Sequence, residues 1–341
     1  MALKPPVEVP QGAIRLNTDS QKLEFFAQDQ WWEMATGESS PISARGFFQG
    51  GATGTSGGNH IEYVTITTIG DYTDFGDLPT AETSSGAAGA SFTRGIHGGG
   101  AATSAPWAAK NHISSWIMAT QGNGVDWGDL TRVSYRIAAG NAGDNTRVCF
   151  MGGINPGKVD TIDYVTIESS GGATDFGNLS ATWENAACGS NPTRAVYGGG
   201  NTGSTPRTNQ MEYITIQSTG NANDFGDLTD GRSALGGVSN SVRFFAAGGA
   251  SPSLVNIIDS VNISSLGNAI DWGDLTDSYS NLCGVNSQVR GLWGGGYKPG
   301  GNLSLISYFD LTSRGDAALF GDLSGAGTGM RTASNCHGGL R

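Results

Sequence analysis

The sequence predicts an all-β fold, a six-bladed β-propeller preceded by a small N-terminal β-hairpin or meander. Three observations carry this. A signature recurs six times with a period of about 50 residues, the mark of a stacked-repeat architecture. The segments between its landmarks have strand composition and no helical periodicity. Glycine, at 55 of 341 residues, is about twice its usual share and falls at regularly spaced turns.

Each copy opens on an arginine followed five and six positions later by a glycine pair. The pairings are Arg45 with Gly50 and Gly51, Arg94 with Gly99 and Gly100, and Arg147 with Gly152 and Gly153. They continue with Arg194 before Gly199 and Gly200, Arg243 before Gly248 and Gly249, and Arg290 before Gly295 and Gly296. Each copy closes on Asp-(Phe/Trp)-Gly-(Asp/Asn)-Leu, beginning at Asp74, Asp126, Asp175, Asp224 and Asp271; the sixth, 319–323, lacks the leading Asp. Between these landmarks runs a strand such as Ile61-Glu62-Tyr63-Val64-Thr65-Ile66, with counterparts over 162–167 and 211–216. Its β-branched and aromatic residues sit on both parities, as in a strand covered on two faces. Small residues follow the closing motif, over 86–91, 138–143 and 186–189, and suit the innermost strand beside a central channel. A blade thus reads as a small-residue inner strand, the Arg-to-Gly-Gly strand, the Tyr-bearing strand and an outer Asp-Phe-Gly strand.

The first repeat starts at its arginine with no inner strand of its own, whereas a small-residue stretch, Thr332-Ala333-Ser334-Asn335-Cys336, follows the last. Adding that stretch to the first blade closes the ring and removes two open sheet edges. The alternative is that residues 41–44 fill the place.

The glycine doublet at the end of the second strand, the aromatic in the third, the aromatic a dozen residues on and the boundary arginine together resemble the kelch-like β-propellers. The resemblance spans residues 45–341 and implies fold; propellers host many unrelated functions.

Residues 1–44 form a separate element. Gly12-Ala13-Ile14-Arg15-Leu16-Asn17-Thr18-Asp19-Ser20 and Lys22-Leu23-Glu24-Phe25-Phe26 read as two strands around a polar turn, and a second turn leads to Trp31-Trp32-Glu33. Three strands of about four residues bury too little to stand alone, so Phe25, Phe26, Trp31 and Trp32 are the expected docking residues. This string resembles a short β element common near the N-termini of structural and fibre proteins of tailed bacteriophages, with Leu16 where an aromatic is usual. The resemblance implies a virion protein that is assembled in the host cytoplasm and attached to other virion proteins through this element. Its oligomeric state would then be set by the attachment site.

Composition narrows the partners. A formal net charge of -11 argues against binding nucleic acid through phosphates or an anionic membrane through a basic patch. No apolar run is long enough to insert into a membrane. The start, Met1-Ala2-Leu3-Lys4-Pro5-Pro6, lacks the apolar stretch of a secretory signal. Cys149, Cys188, Cys283 and Cys336 are far apart and fit as small hydrophobes rather than as a metal site.

Catalysis finds no support. His60, His97, His112 and His337 occupy different places in their repeats, so the two-His, two-Tyr copper site of galactose oxidase-type propellers cannot be assembled. The sialidase aspartate box is absent. The acidic turns admit two readings, calcium ligation or a turn-capping Asp beside a wedging aromatic, and the latter is expected because Asn178 replaces Asp in one copy. The arginines likewise admit an anion-binding ring around the channel or, as expected, ties to a neighbouring blade. No cofactor or metal is called for. The loops after the glycine pairs vary most and should gather on one face, where Trp107, Lys110, Arg207, Tyr297 and Lys298 are the larger side chains and candidate recognition residues. The leading expectation is a tail-fibre or adhesin component whose propeller meets a host-surface glycan or protein. The alternative is a capsid decoration or baseplate subunit that binds other virion proteins.

Overall fold

The computed structural model describes residues 10, 12–17, 22–27, 30–33, 44–53, 56–82, 87–103, 108–138, 140–203 and 206–340. The chain forms two compact units, Met1–Ser43 and Ala44–Arg341.

The first unit is an antiparallel meander of Ile14–Asn17, Lys22–Ala27 and Gln30–Glu33. Its register sets Arg15 opposite Glu24 and Phe26 opposite Trp31. Arg15 Nε donates to Glu24 Oε2 at 2.7 Å while its guanidinium lies 4.1 Å from the centre of the Trp31 ring. Phe26 and Trp31 meet edge to face at 5.3 Å.

The second unit is a six-bladed β-propeller. Blade 4 shows the plan: Ala187–Ser190 innermost, then Arg194–Gly198, Gln210–Thr215 and outermost Asn223–Asp227, all antiparallel. Blade 3 departs at its inner edge. There Gly143 bridges Val148 and Asn141 bridges Ala88 of blade 2 in place of a continuous strand. Gly140 crosses so close to the Cys188 carbonyl that a Cβ would sit 1.9 Å from it. Arg331–Ser334 pairs with Arg45–Gln49 from Arg331↔Gln49 to Ser334↔Gly46, so the C-terminal strand completes blade 1 and closes the ring.

Among the described residues the core is six hydrophobic clusters, one at each seam between consecutive blades. Phe47, Phe75, Ala88, Ala90 and Trp116 fill the seam of blades 1 and 2. Phe48, Val64, Val285 and Phe320 fill that of blades 6 and 1. The aromatic of each Asp-(Phe/Trp)-Gly motif is the outer wedge of its seam. The motif's glycine is required by the neighbouring blade: a Cβ on Gly128 would stand 2.2 Å from the carbonyl oxygen of Gly171, in the turn between the third and outer strands of blade 3. That turn donates two backbone bonds onto the preceding outer strand, from Gly171 to Trp127 O at 3.0 Å and from Ala173 to Asp129 O at 2.7 Å. The same pair runs from Gly122 and Gly124 to Phe75 and Asp77, from Gly220 and Ala222 to Phe176 and Asn178, and from Gly267 and Ala269 to Phe225 and Asp227. It completes the rim from Gly315 and Ala317 to Trp272 and Asp274, and from Gly70 and Tyr72 to Phe320 and Asp322. Every outer strand therefore has part of its edge covered by the next blade, which blunts the pairing template an open edge offers.

Candidate recognition surfaces

The six signature arginines begin their strands at one end of the ring, and each lays its guanidinium over an aromatic of its own blade. The ring is Tyr63 for Arg45, Tyr164 for Arg147, Tyr213 for Arg194 and Tyr308 for Arg290, at 4.6 to 4.8 Å. Blades 2 and 5 carry Ser115 and Ser260 at the tyrosine position, and there the outer-strand aromatic is Trp127 or Trp272 instead of Phe. Those indoles take over the stacking, at 4.4 Å from Arg94 and 4.8 Å from Arg243. Tyr with Phe, or Ser with Trp, is thus one choice made twice over to keep a π face under the arginine.

What the guanidinium does next differs between the two kinds of blade. Arg45, Arg147 and Arg290 donate from Nη1 to the carbonyls of Met118, Ile216 and Ile66 on the following blade, at 2.9, 2.9 and 3.0 Å. Arg194 reaches Ile263 O and Ser264 O, each at 3.2 Å. These are the expected ties between blades. Arg94 and Arg243 instead donate to their own blade's Ser115 and Ser260, at 3.3 and 3.4 Å. Arg94 is also faced by Glu168 of blade 3, 3.9 Å from its Nε.

The acidic turns act as hydrogen-bond acceptors. Asp126 and Asp271 take the N–H of Gly128 and Gly273 two residues on, at 3.2 and 3.1 Å. A second acceptor comes from the next blade: Asn123, Asn221, Asn268, Asp316 and Asp71 accept the N–H of Asp77, Asn178, Asp227, Asp274 and Asp322 at 3.0 to 3.1 Å. The Asn/Asp alternation at both places fits an acceptor better than a cation ligand. Among the described residues no three His, Cys, Asp or Glu side chains converge as a metal site would require.

A tie the motif did not advertise lies just beyond it. In five of the six blades the residue after the motif leucine reaches a third-strand side chain of the following blade. Thr131 bonds Asp163, Thr229 bonds Asp259 and Ser324 N–H bonds Glu62, at 2.6 to 3.2 Å. Ser180 bonds Glu212 through both N–H and hydroxyl. Thr276 meets a serine, Ser307, at 3.2 Å. Pro79, which has no N–H to give, faces a blade with Ser114 at that position. Comparing the six copies column by column would have shown this pairing. Arg232, fully buried, adds a 2.6 Å ion pair to Asp259, and burial pulls its pKa below the usual guanidinium range despite that carboxylate.

Among the described residues the two ends of the channel are built differently. At the end nearer the glycine pairs, residues with left-handed backbone ring the mouth: Asn185, Ala234, Asn281 and Gly329, with φ of 55°, 61°, 54° and 62°. Each donates its N–H to the carbonyl of its counterpart one blade earlier, Asn185 to Arg136 O and so on round to Gly329 on Asn281 O. The pocket they enclose holds about 20 Å³, room for one water. At the other end the chain's own last turn crosses the channel. His337 Nε2 donates to Ala90 O of blade 2 at 2.9 Å and its Nδ1 accepts from Gly339 N–H at 3.1 Å. Gln288 of blade 6 donates to His337 O at 2.9 Å. Burial lowers the His337 pKa to about 4, holding the ring neutral.

Of the loop residues proposed from sequence, Trp107 lies outside the described residues. Lys110 Nζ donates to Ala81 O at 3.0 Å, and Lys298 Nζ lies 2.8 Å from Asp277 Oδ2. Arg207 is exposed, with left-handed backbone at φ 59°, and Tyr297 is 44% exposed. In the N-terminal unit Phe26 and Trp31 are half-buried, and the side chains of Phe25 and Trp32 lie outside the described part. The four N-terminal aromatics still share one register block, Phe25 opposite Trp32 and Phe26 opposite Trp31.

The four thiols are free. Cys149 and Cys283 are buried and their pKa values are pushed up to about 12 by desolvation; Cys188 is raised further. Cys336 lies just past the closing strand rather than in it.

No protein-family model matches the chain. No curated protein matches it either.

Proposed function

We propose that this protein is a bacteriophage virion component, its blades of the kelch-like kind, which attaches through the N-terminal meander and presents the propeller for recognition. The observation that carries the reading is the pairing of two unlike units. One is a three-stranded meander of 4-, 6- and 4-residue strands, too small to bury a core of its own, bearing an aromatic block and the fibre-type Ile-Arg-Leu-Asn-Thr-Asp string. The other is a closed ring whose seams are filled and whose outer edges are partly covered by its own turns. A small element with unsatisfied apolar surface docks; a closed ring does not need to.

The tail-fibre or adhesin role is favoured over capsid decoration by the loops after the glycine pairs, which differ from blade to blade while the rest of each blade repeats. A scaffold that conserves its seams and varies one set of loops is organised for presenting a surface. No nucleic-acid or membrane partner and no catalytic role form part of this reading. Locating the chain in a low-resolution map of purified virions tests it. Density for a ring-shaped domain on a tail fibre is expected, and absence of the chain from particles would overturn the proposal.

A further inference from the structure

We propose that blade 5 carries a binding site for a single carboxylate-bearing sugar residue, centred on Arg243. Five of the six signature arginines are spoken for: four by carbonyls of the next blade, and Arg94 by Glu168. Arg243 is the exception. Its side chain makes one hydrogen bond, to Ser260 Oγ at a long 3.4 Å, and blade 6 presents Thr312 where blade 3 presents Glu168 to Arg94. The hydroxyl of Thr312 is turned to Asp310, at 2.6 Å.

The reason is local. Ser260 replaces the tyrosine that fills this place in blades 1, 3, 4 and 6, and Trp272 supports the guanidinium from the outer strand instead. Ser260 borders a pocket of about 170 Å³ beside the turn that joins the third and outer strands, and Arg243 is the one charged residue lining it. A second cation stands close by, since the Arg314 guanidinium lies 6.0 Å from the same indole.

The lining specifies the ligand class. An arginine with free donors in a planar fork is built to take a carboxylate through two parallel bonds. Asn262 and Ser265, both exposed, offer amide and hydroxyl partners for ring hydroxyls. Leu266 and Ile270, 58% and 39% exposed, offer apolar surface for the C–H face of a pyranose. A volume of about 170 Å³ lies below the ~300 Å³ at which pockets begin to hold drug-sized ligands, so it accommodates one sugar unit rather than an oligosaccharide. This site deepens the recognition reading above and rests on it for biological meaning, but the binding itself is a property of the isolated protein.

The test is saturation-transfer NMR on the full chain with D-glucuronate, D-glucose and acetate as probes. Glucuronate should bind with a Kd on the order of 1 mM, and glucose should give no saturable signal. Arg243→Ala should reduce the glucuronate signal at least fivefold. Ser260→Tyr, which fills the pocket and leaves the arginine in place, should do the same, so a folding defect in one variant does not decide the matter. Equal binding of glucose, acetate competing as well as glucuronate, or glucuronate binding that survives both variants would each overturn the proposal. Scoring both variants for incorporation into particles separates the two readings: loss of sugar binding with normal incorporation is expected, and failed incorporation of the unaltered chain counts against the virion role alone.

Discussion

Replacing Arg147 by Ala should destabilise the propeller by about 2–4 kcal/mol, whereas Arg243→Ala should cost only about 1 kcal/mol. The two arginines hold the same position in their repeats and each stacks on an aromatic, Tyr164 at 4.6 Å and Trp272 at 4.8 Å. Losing the stack is worth about 0.5–1 kcal/mol in either case. Arg147 also gives a 2.9 Å hydrogen bond to Ile216 O across the seam. Truncation strips that carbonyl of a charged donor, at about 1–3 kcal/mol. Arg243 has only its 3.4 Å contact to Ser260, too long to count as more than a weak hydrogen bond. In a domain of this size roughly 2 °C of melting temperature corresponds to 1 kcal/mol. Thermal melts should therefore fall by about 4–8 °C for Arg147→Ala and by about 2 °C for Arg243→Ala. Equal losses would refute the claim that four arginines tie blades together and Arg243 does not.

Three further outcomes follow from the seams and the ring. Gly128→Ala should cost at least about 2 kcal/mol more than Gly171→Ala, because both glycines have φ of 147° but only Gly128 faces a carbonyl 2.2 Å from the new Cβ; urea titrations of the pair check it. Ending the chain before Arg331 should abolish a cooperative calorimetric transition, since it uncovers the edge of Arg45–Gln49, and a truncated protein that melts like the full chain would contradict ring closure by that strand. The His337 imidazole, with a folded pKa of about 4 below its ordinary value of about 6.5, binds its proton preferentially when unfolded. Its contribution is thus complete above pH ~6.5 and lost as pH falls toward 4, on the order of 3 kcal/mol, and His337→Gln should flatten stability-versus-pH curves across that window.

How much of this was legible beforehand depends on whether a residue recurs. The glycine pairs announced themselves because both positions need positive φ in all six copies, as at Gly152 and Gly153 with φ of 67° and 110°. The Asp-(Phe/Trp)-Gly-Asp motif was equally visible, though its reason was not: the glycine answers to a backbone some 45 residues away, as Gly128 does to Gly171. Reading each motif alone hides such contacts, whereas aligning the six copies shows Ser115 and Ser260 arriving together with Trp127 and Trp272. Within the propeller, features without a repeat counterpart were beyond sequence reasoning. The last turn, 335–340, occurs once, so nothing marked His337 as the residue that crosses the channel. The seam between blades 1 and 2 is another case, where Glu82 and His97 meet at 2.8 Å while both are buried. There the nearby charges of His97, Arg331 and Lys110 hold the Glu82 carboxyl below its ordinary range against the cost of burial.

On the proposed reading the N-terminal aromatics attach the chain to the particle while the propeller folds by itself. Full burial of one such side chain is worth roughly 2–3 kcal/mol, so Trp31→Ser combined with Trp32→Ser should weaken docking by several kcal/mol. Particles made with the full-length double variant should be purified and probed for the chain by quantitative mass spectrometry, with the variant's thermal melt recorded alongside. That reading expects an unchanged propeller transition and loss of the chain from the particles. Normal incorporation at the unaltered copy number would contradict it.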